Sequence, residues 1–414
     1  MNKILLLLLL IPTLLYSQVN STIESGGEFL QTQNNSCLSI SNRSLIISKL
    51  KTNLRQLNNK IAISKSNNVS FDWPLKKDST LKFNSYYAIS NFVDQDTSQL
   101  GILEYNCNNR TYDGHKGTDI FLWPFSWMMV DSNYIEVVAA DSGIIIGKDD
   151  GFDDDHCDFY SGFDWNAVYI QHFDGTITWY GHLKKNSLTT KQFGDSISKG
   201  EYLGIVASSG FSTGPHLHFE VYDSSFNLID PFQGNCNNLN NLSYWTNQKP
   251  YRESTLNAIL THNSKPIFGC PSYNESTNIS NFFHPYDSLF TAVYLHDQIL
   301  GDDIYLAIQK PNNTVWQSWS HTFNATYSAS YWYWEWTLPP NGPFGLWRFE
   351  ALYNGALYYY EFNYTNTLNI NETPSNKILS KITNVLGQET TPKSNTPLFY
   401  LYDNGTVEKK IIVE

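Results

Sequence analysis

Residues Ser212–Glu220 read STGPHLHFE, a glycine–proline turn followed by alternating histidine and apolar residues. Side chains two positions apart on a strand point to the same face and lie a little under ~7 Å apart. Glycine allows a sharp turn, and proline suits the first residue of a strand, where its missing N–H breaks no ladder bond. The pattern therefore predicts that His216 and His218 stand side by side, while Leu217 and Phe219 face the core.

Two upstream segments carry further side chains that can bind a metal. The run HKGTD places His115 and Asp119 four residues apart, and the run WYGHL contains His182. Zinc favours imidazole nitrogen and carboxylate oxygen, and a catalytic zinc site takes three protein ligands and one water. The chain thus offers a His/Asp/His set with two spare histidines, although the 212–220 run alone is equally compatible with half-exposed strand histidines.

The order HxxxD, GHL and STGPHLHFE resembles the M23 zinc metallopeptidases of the LytM and lysostaphin type. The resemblance covers about Asp72 to Asp230 and implies a Zn²⁺-dependent peptidase. By position against the family motif it implies three metal ligands, His115, Asp119 and His218, and two catalytic residues, His182 and His216.

Such a zinc ion lowers the pKa of its bound water from ~15.7 toward ~7 and polarises the scissile carbonyl. We expect His216 to take the proton of the water, and His182 to stabilise the oxyanion or to protonate the leaving amine, each worth ~10²–10⁴-fold. Glu220 shares the histidine face and would orient a histidine or act directly. An inactive, metal-free activator would lack one of these residues, and a structural zinc site usually has four Cys/His ligands.

Composition narrows the class of protein further. Among 414 residues there are 27 Tyr and 24 Phe but only 3 Met, which favours pleated sheets. The net charge of −12 argues against nucleic-acid binding, which depends on Lys and Arg neutralising phosphates. The five cysteines lack zinc-type CxxC spacing, and their pairing cannot be read from sequence. Our first expectation is a Cys236–Cys270 bridge, with Cys107–Cys157 second and Cys37 left over.

The predicted fold is mainly β, with an antiparallel metallopeptidase domain, a β-sandwich accessory domain and a small C-terminal sorting tail. Short strands are expected at 134–140, 142–147, 167–172, 176–180 and 202–207 of the peptidase region, and at 291–295, 304–309, 328–338, 345–353 and 356–362 of the accessory region. The predicted boundaries are a signal peptide at 1–17, an N-terminal extension at 18–68, the peptidase domain at 69–235, the accessory domain at 242–366 and the tail at 371–414.

Two segments outside the motifs allow more than one interpretation. Helical spacing of apolar residues over Leu45–Ile63 predicts a helix in the N-terminal extension. We favour a solvated extension there over a spacer or an inhibitory prosegment. In Tyr331–Trp336 three tryptophans alternate with Tyr, Tyr and Glu, so either face could stack on sugar or peptide, but packing is the favoured interpretation.

The end of the chain, VLGQ followed by TPLFYLYDNGTVEKK, resembles the C-terminal sorting tails of type IX secretion substrates, although a last hairpin of the accessory domain is an alternative. With the signal peptide, it predicts a secreted or cell-surface protein that uses the type IX secretion machinery. We expect a zinc endopeptidase acting on peptidoglycan cross-links or stem peptides. The alternatives are an extracellular proteinase acting on glycine-rich proteins such as elastin, and a non-enzymatic surface-binding protein.

Overall fold

The computed structural model describes most of the chain and shows two compact units, Met1–Asn366 and Thr367–Glu414. The predicted signal peptide and the first residues of the predicted tail, 371–378, lie outside the described residues. In the described part of the chain, no helix combines the length and apolarity needed to cross a bilayer. The described residues are 24–30, 37–57, 69–98, 100–157, 162, 164–270, 275–366, 379–402 and 407–411.

The N-terminal region forms strand β1 (Glu24–Glu28) and helix α1 (Ile40–Leu57). The predicted helix is therefore confirmed, but it begins at Ile40 because Ser39 caps it: the Ser39 hydroxyl accepts a 3.0 Å hydrogen bond from the Asn42 backbone N–H. The favoured interpretation of a solvated extension is wrong for 37–57, since this helix buries apolar side chains against the next region.

The peptidase region is built on a large antiparallel sheet with the strand order β3-β4-β11-β8-β7-β6-β9, and with β12 beside β11. A smaller sheet has the order β10-β5-β2. The elements are β2 (Leu75–Lys77), β3 (Tyr87–Asn91), β4 (Thr118–Leu122), α2 (Ser126–Asp131), β5 (Ile135–Val138), β6 (Gly143–Asp149), β7 (Ala167–His172), β8 (Ile177–Gly181), β9 (Ser196–Ile197), β10 (Tyr202–Ile205), β11 (His216–Tyr222) and β12 (Leu228–Ile229).

Both faces of the central strands are covered, which explains why β7, β8 and β11 are buried along their whole length. Leu217 and Phe219 of β11 point into the main core, as predicted. The opposite face carries the histidines of β11 and a second apolar cluster that includes Trp179 and Tyr222. Helix α1 packs on that second face, where its Leu50 is completely buried.

The accessory region is the predicted β-sandwich, confirmed as two sheets around a shared apolar core. One sheet has the order β1-β18-β15-β13 and the other β14-β20-β19-β16-β17. Its pairs are antiparallel except for β14 with β20. The strands are β13 (Thr255–His262), β14 (Phe282–Phe283), β15 (Ser288–Gln298), β16 (Asp303–Gln309), β17 (Val315–Thr322), β18 (Tyr327–Thr337), β19 (Gly345–Tyr353) and β20 (Ala356–Tyr364).

The alternating aromatics of β18 serve packing. Trp332, Trp334 and Trp336 lie in the core between the two sheets, so this tryptophan face is not available for stacking on sugar. On the other face, Tyr333 joins the apolar cluster that also contains peptidase-region residues such as Trp123. Because these two regions share a core, their division into domains 69–235 and 242–366 stays a prediction.

The expected disulfide pairs are wrong. Cys107 pairs with Cys236, and Cys157 pairs with Cys270, while Cys37 is the free cysteine. The reason is tertiary: the Cys236 backbone N–H donates to the carbonyl of Tyr105, which holds the segment after the peptidase sheet beside Cys107.

The C-terminal unit contains a three-stranded antiparallel sheet, ordered β21-β22-β23. Its strands are β21 (Leu379–Thr383), β22 (Pro397–Tyr402) and β23 (Val407–Ile411). The predicted sorting tail therefore has its own sheet, and its role in secretion stays a prediction.

Candidate metal and catalytic site

Strand β11 brings the three predicted motifs together because it lies between β4 and β8. His218 is opposite Asp119 of β4 on one side and opposite Gly181 of β8 on the other. His182 follows Gly181 directly, in a left-handed conformation with φ of 64°, and therefore also reaches this face. Sheet register thus assembles side chains that are far apart in sequence.

The three predicted ligands meet in a buried cluster, in which each offers one donor atom within 4.8 Å of the others. His115 Nε2 lies 3.1 Å from Asp119 Oδ2 and 3.4 Å from His218 Nδ1. The His218 Nδ1 to Asp119 Oδ1 distance is 2.6 Å. Two nitrogens bound at ~2.0–2.1 Å to one tetrahedral ion lie ~3.4 Å apart, so the donor types of all three residues and the spacing of His115 and His218 fit zinc.

Neighbouring groups orient each member of this cluster. The Nδ1 of His115 donates to the Phe92 carbonyl oxygen at 2.7 Å, which leaves Nε2 free as a donor to a metal. Asn91 Nδ2 donates to Asp119 Oδ2 at 3.0 Å. His218 Nε2 lies 2.7 Å from Glu220 Oε1, so this carboxylate can hold the proton on Nε2 and leave Nδ1 bare. Of the two roles predicted for Glu220, this contact matches that of orienting a histidine, here His218.

The charge on Asp119 is stabilised by its surroundings. Burial favours the neutral carboxyl, but the nearby His115, His218 and His216 outweigh burial and hold the pKa of Asp119 well below its usual range. A carboxylate in the ionised state is the form that binds a metal cation.

The two predicted catalytic histidines lie beside this cluster, with their ring centroids 4.4 Å apart. His182 Nδ1 donates to the Ser209 carbonyl oxygen at 2.5 Å, and His216 Nδ1 donates to that of Gly214 at 2.9 Å. Both Nε2 atoms are buried and, within the described residues, have no hydrogen-bond partner. His216 Nε2 lies 3.6 Å from Asp119 Oδ1, so this ring also borders the cluster.

Burial keeps both of these histidines neutral. It lowers the pKa of His216, although nearby Asp119 acts in the opposite direction. Burial and the adjacent His216 and His218 hold the pKa of His182 well below its usual range. A neutral imidazole with a bare Nε2 can accept a proton, as a general base requires.

The structure adds residues that the motifs did not point to. Asn91, Phe92, Cys37 and Arg43 all reach the site from segments outside the motifs. The helix predicted over Leu45–Ile63 begins two residues after Arg43, so it did not include this residue. Two other histidines lie outside the site: His156 donates to the Gly210 carbonyl oxygen, and His172 packs between Ser142 and Thr178.

Comparison with known proteins identifies the region that contains the site. A family model described as peptidase family M23 matches residues 114–231. The chain is 39% identical over 61 residues to the peptidoglycan DD-endopeptidase ShyC of Vibrio cholerae, covering 15% of this chain and 13% of that protein. It is 47% identical over 56 residues to the DD-carboxypeptidase/endopeptidase Mpg of Neisseria meningitidis, covering 14% and 12%.

A third relative is the glycyl-glycine endopeptidase ALE-1 of Staphylococcus capitis, 37% identical over 62 residues, covering 15% of this chain and 16% of that protein. The chain thus spans only about a seventh of the length of these curated relatives. The family match includes all five predicted site residues, His115, Asp119, His182, His216 and His218. Residues 114–231 of this chain, which carry the candidate site, are therefore similar to peptidase family M23.

Proposed function

We propose that the protein is a zinc-dependent endopeptidase that hydrolyses peptide bonds in peptidoglycan cross-links or stem peptides. The observation that carries this proposal is the buried set of His115, Asp119 and His218, whose donor atoms have the spacing of zinc ligands. The relative named a peptidoglycan DD-endopeptidase supports this class of substrate.

In this proposal the three clustered side chains hold the metal, and two further histidines move protons. A bound zinc ion would lower the pKa of a water molecule and polarise the scissile carbonyl. His216 accepts the proton of that water at its bare Nε2, which borders Asp119. His182 would take that proton from His216 at its own bare Nε2, their ring centroids being 4.4 Å apart, and would then donate it to the leaving amine or in a hydrogen bond to the oxyanion. Their backbone hydrogen bonds fix both rings, which limits the reorganisation that the reaction requires.

A second candidate substrate is a glycine-rich extracellular protein such as elastin. One relative is named a glycyl-glycine endopeptidase, which supports a preference for glycine-containing bonds. The same site would serve both substrates, because the chemistry at the carbonyl is identical. Residues that contact the substrate chain on either side of the bond would decide between them.

The test compares purified peptidoglycan with elastin, each incubated with the zinc-loaded protein and analysed by mass spectrometry for new amino termini. We expect release from peptidoglycan that stops when a chelator is added and resumes with zinc. His284→Gln controls for the loss of a histidine outside the site and should cleave as the wild type does. His284 lies in the accessory region, where it donates to the Thr365 carbonyl oxygen. Cleavage that persists in the presence of the chelator would refute the proposed activity. So would the absence of cleavage both by the zinc-bound wild type and by a zinc-bound variant in which helix α1 is loosened.

We further propose that the protein is exported and sorted to the cell surface or the medium. The apolar stretch at 1–17 and the tail at 371–414 support this, and the tail lies in a separate compact unit. Deleting residues 371–414 should retain the protein inside the outer membrane without changing cleavage by the purified enzyme. Normal surface delivery of this deletion variant would rule out the sorting role.

A further inference from the structure

The sulfur of Cys37 lies between two residues of the candidate site. Its Sγ is 3.5 Å from His218 Nε2, and it forms a group with His182 and His218 whose donor atoms are all within 4.8 Å of one another. Cys37 is 1% exposed. His182 is also buried and has no hydrogen-bond partner at Nε2 within the described residues. A residue from the N-terminal segment therefore lies against both a proposed metal ligand and a proposed catalytic residue.

A buried ion pair holds this segment in place. Arg43 Nη2 donates to Glu220 Oε1 at 2.8 Å, and its Nη1 contacts Glu220 Oε2 and the Tyr222 hydroxyl. Glu220 is fully buried and also contacts His218. The Arg43 guanidinium lies 5.6 Å from the ring centroid of Trp179. Helix α1 is thus anchored to the strand that carries the histidines.

The rest of α1 lies on the same face of the sheet as the site. Leu50 and Leu57 are buried in a cluster with Trp179 and Tyr222. Asn53 Nδ2 donates to the Ile146 carbonyl oxygen at 2.8 Å, which adds a polar contact to this packing. The segment is therefore docked along its length and not only at Cys37.

We propose that residues 37–57 are an inhibitory segment that covers the candidate site, and that Cys37 blocks it. A general base must come within ~2.6–3.2 Å of the proton that it accepts, so a substrate must approach the histidines closely. A sulfur within 4.8 Å of ring nitrogens of both His182 and His218 takes up space that this approach requires. The inference rests on the proposed peptidase function, because it assigns a regulator to that same site.

The test uses the full chain and three readouts. Cys37 is the free thiol, so a thiol reagent reports on this residue in the native protein. The second readout is the rate at which a chelator removes zinc, and the third is turnover of peptidoglycan. Leu50→Ala weakens docking without touching the site, and Ser48→Ala, on the exposed side of the same helix, is the matched control. Circular dichroism verifies folding, and Leu50→Val replaces Leu50→Ala if the latter fails to fold.

We expect native Cys37 to react at least ~100-fold more slowly than in urea, because buried groups react through local opening. Leu50→Ala should raise the rates of thiol labelling, zinc release and peptidoglycan turnover by about tenfold each. All three rates depend on local opening of helix α1 away from the sheet. Ser48→Ala should match wild type. Labelling of native Cys37 at the rate seen in urea would overturn the inference. Faster labelling with wild-type zinc release and turnover would also overturn it.

The same experiment separates this inference from the proposed function. If the wild-type protein binds no zinc, the proposed function fails, and with it the regulatory role. If zinc binds and the wild-type protein already cleaves as fast as Leu50→Ala, only the inhibitory role fails. Cys37→Ala adds a direct check on the sulfur, since we expect it to increase turnover while α1 remains docked.

Discussion

Arg43 and Glu220, separated by 177 residues, form a buried ion pair that joins helix α1 to the strand bearing a candidate metal ligand. Glu220 also contacts His218 Nε2, so this one carboxylate links the N-terminal helix to the metal cluster. Burial favours the neutral form of Glu220, but Arg43 and His218 outweigh burial and hold the pKa of this carboxyl well below its usual range.

Replacing Arg43 by methionine should lower the free energy of unfolding by ~3–5 kcal/mol, because Glu220 would remain buried without its partner. Urea unfolding at neutral pH provides the measurement. Lys49→Met is the matched control. Lys49 lies on the same helix as Arg43, and its ion pair with Asp149 of β6 is partly exposed and should contribute under ~1 kcal/mol. Equal losses in the two variants would contradict the role of the buried pair.

Asn91→Ala should weaken zinc binding ~10–100-fold while the fold persists, because Asp119 would lose the hydrogen bond that orients its carboxylate. Competition with a chromogenic chelator measures the affinity. The exposed Asn84 precedes the same strand, and Asn84→Ala should bind zinc as the wild type does. Unchanged affinity in Asn91→Ala would show that Asp119 needs no such support.

His216→Ala and His182→Ala should each reduce turnover ~10²–10⁴-fold while zinc remains bound. His218→Ala should instead lose the metal, because it removes one of the three clustered donors. Elemental analysis beside steady-state kinetics distinguishes the two classes of variant. Loss of zinc in His216→Ala, or its retention at full stoichiometry in His218→Ala, would require a different assignment of roles.

Two buried histidines of the accessory region should each contribute a loss of stability as pH decreases from about 6.5 to about 4. Burial lowers the pKa of His262 and of His296 to about 4, whereas an unfolded histidine titrates near ~6.5. Between these values the unfolded chain binds more protons, so unfolding becomes easier, by roughly 3 kcal/mol for each residue. Burial raises the pKa of Asp230 and that of Glu275 to about 7, and both groups oppose the histidine contribution because the folded chain then binds more protons than the unfolded chain. The comparison of wild type with a histidine variant isolates the histidine contribution.

Urea unfolding at several pH values measures how the free energy of unfolding depends on pH. His262→Gln removes one of the two titrating groups, so the variant should lose less stability between pH 6.5 and pH 4 than the wild type. An identical pH dependence of the unfolding free energy in the variant would show that His262 does not contribute to it.

Peptide mapping without reduction should find Cys107 joined to Cys236 and Cys157 joined to Cys270. Replacing both Cys157 and Cys270 by alanine should destabilise the protein by ~2–5 kcal/mol, because the unfolded chain would lose a constraint that closes a long loop. A peptide containing Cys236 bonded to Cys270 would contradict the structure.

Local patterns were sufficient to predict much of the fold. The strand at 345–353 was predicted with the bounds that the structure shows, because alternation of side chains is a property of the strand itself. The strand predicted at 167–172 also has the observed bounds, and the one predicted at 176–180 is shifted by one residue, while Gly175 between them has the positive φ of +97° that a tight turn requires. Helix α1 begins at Ile40 and not at Leu45, because the Ser39 hydroxyl caps it and a cap does not depend on the apolar periodicity from which the helix was predicted.

The sequence by itself determined which five side chains form the candidate site, because three short motifs carry them in a specific order. Only the tertiary structure decided what surrounds them: Asn91 beside Asp119, Arg43 beside Glu220, and Cys37 beside His218. It also decided the disulfide pairs. The physical reason is that a motif expresses local geometry, whereas contacts between distant segments depend on sheet register and on the packing of α1 across the sheet.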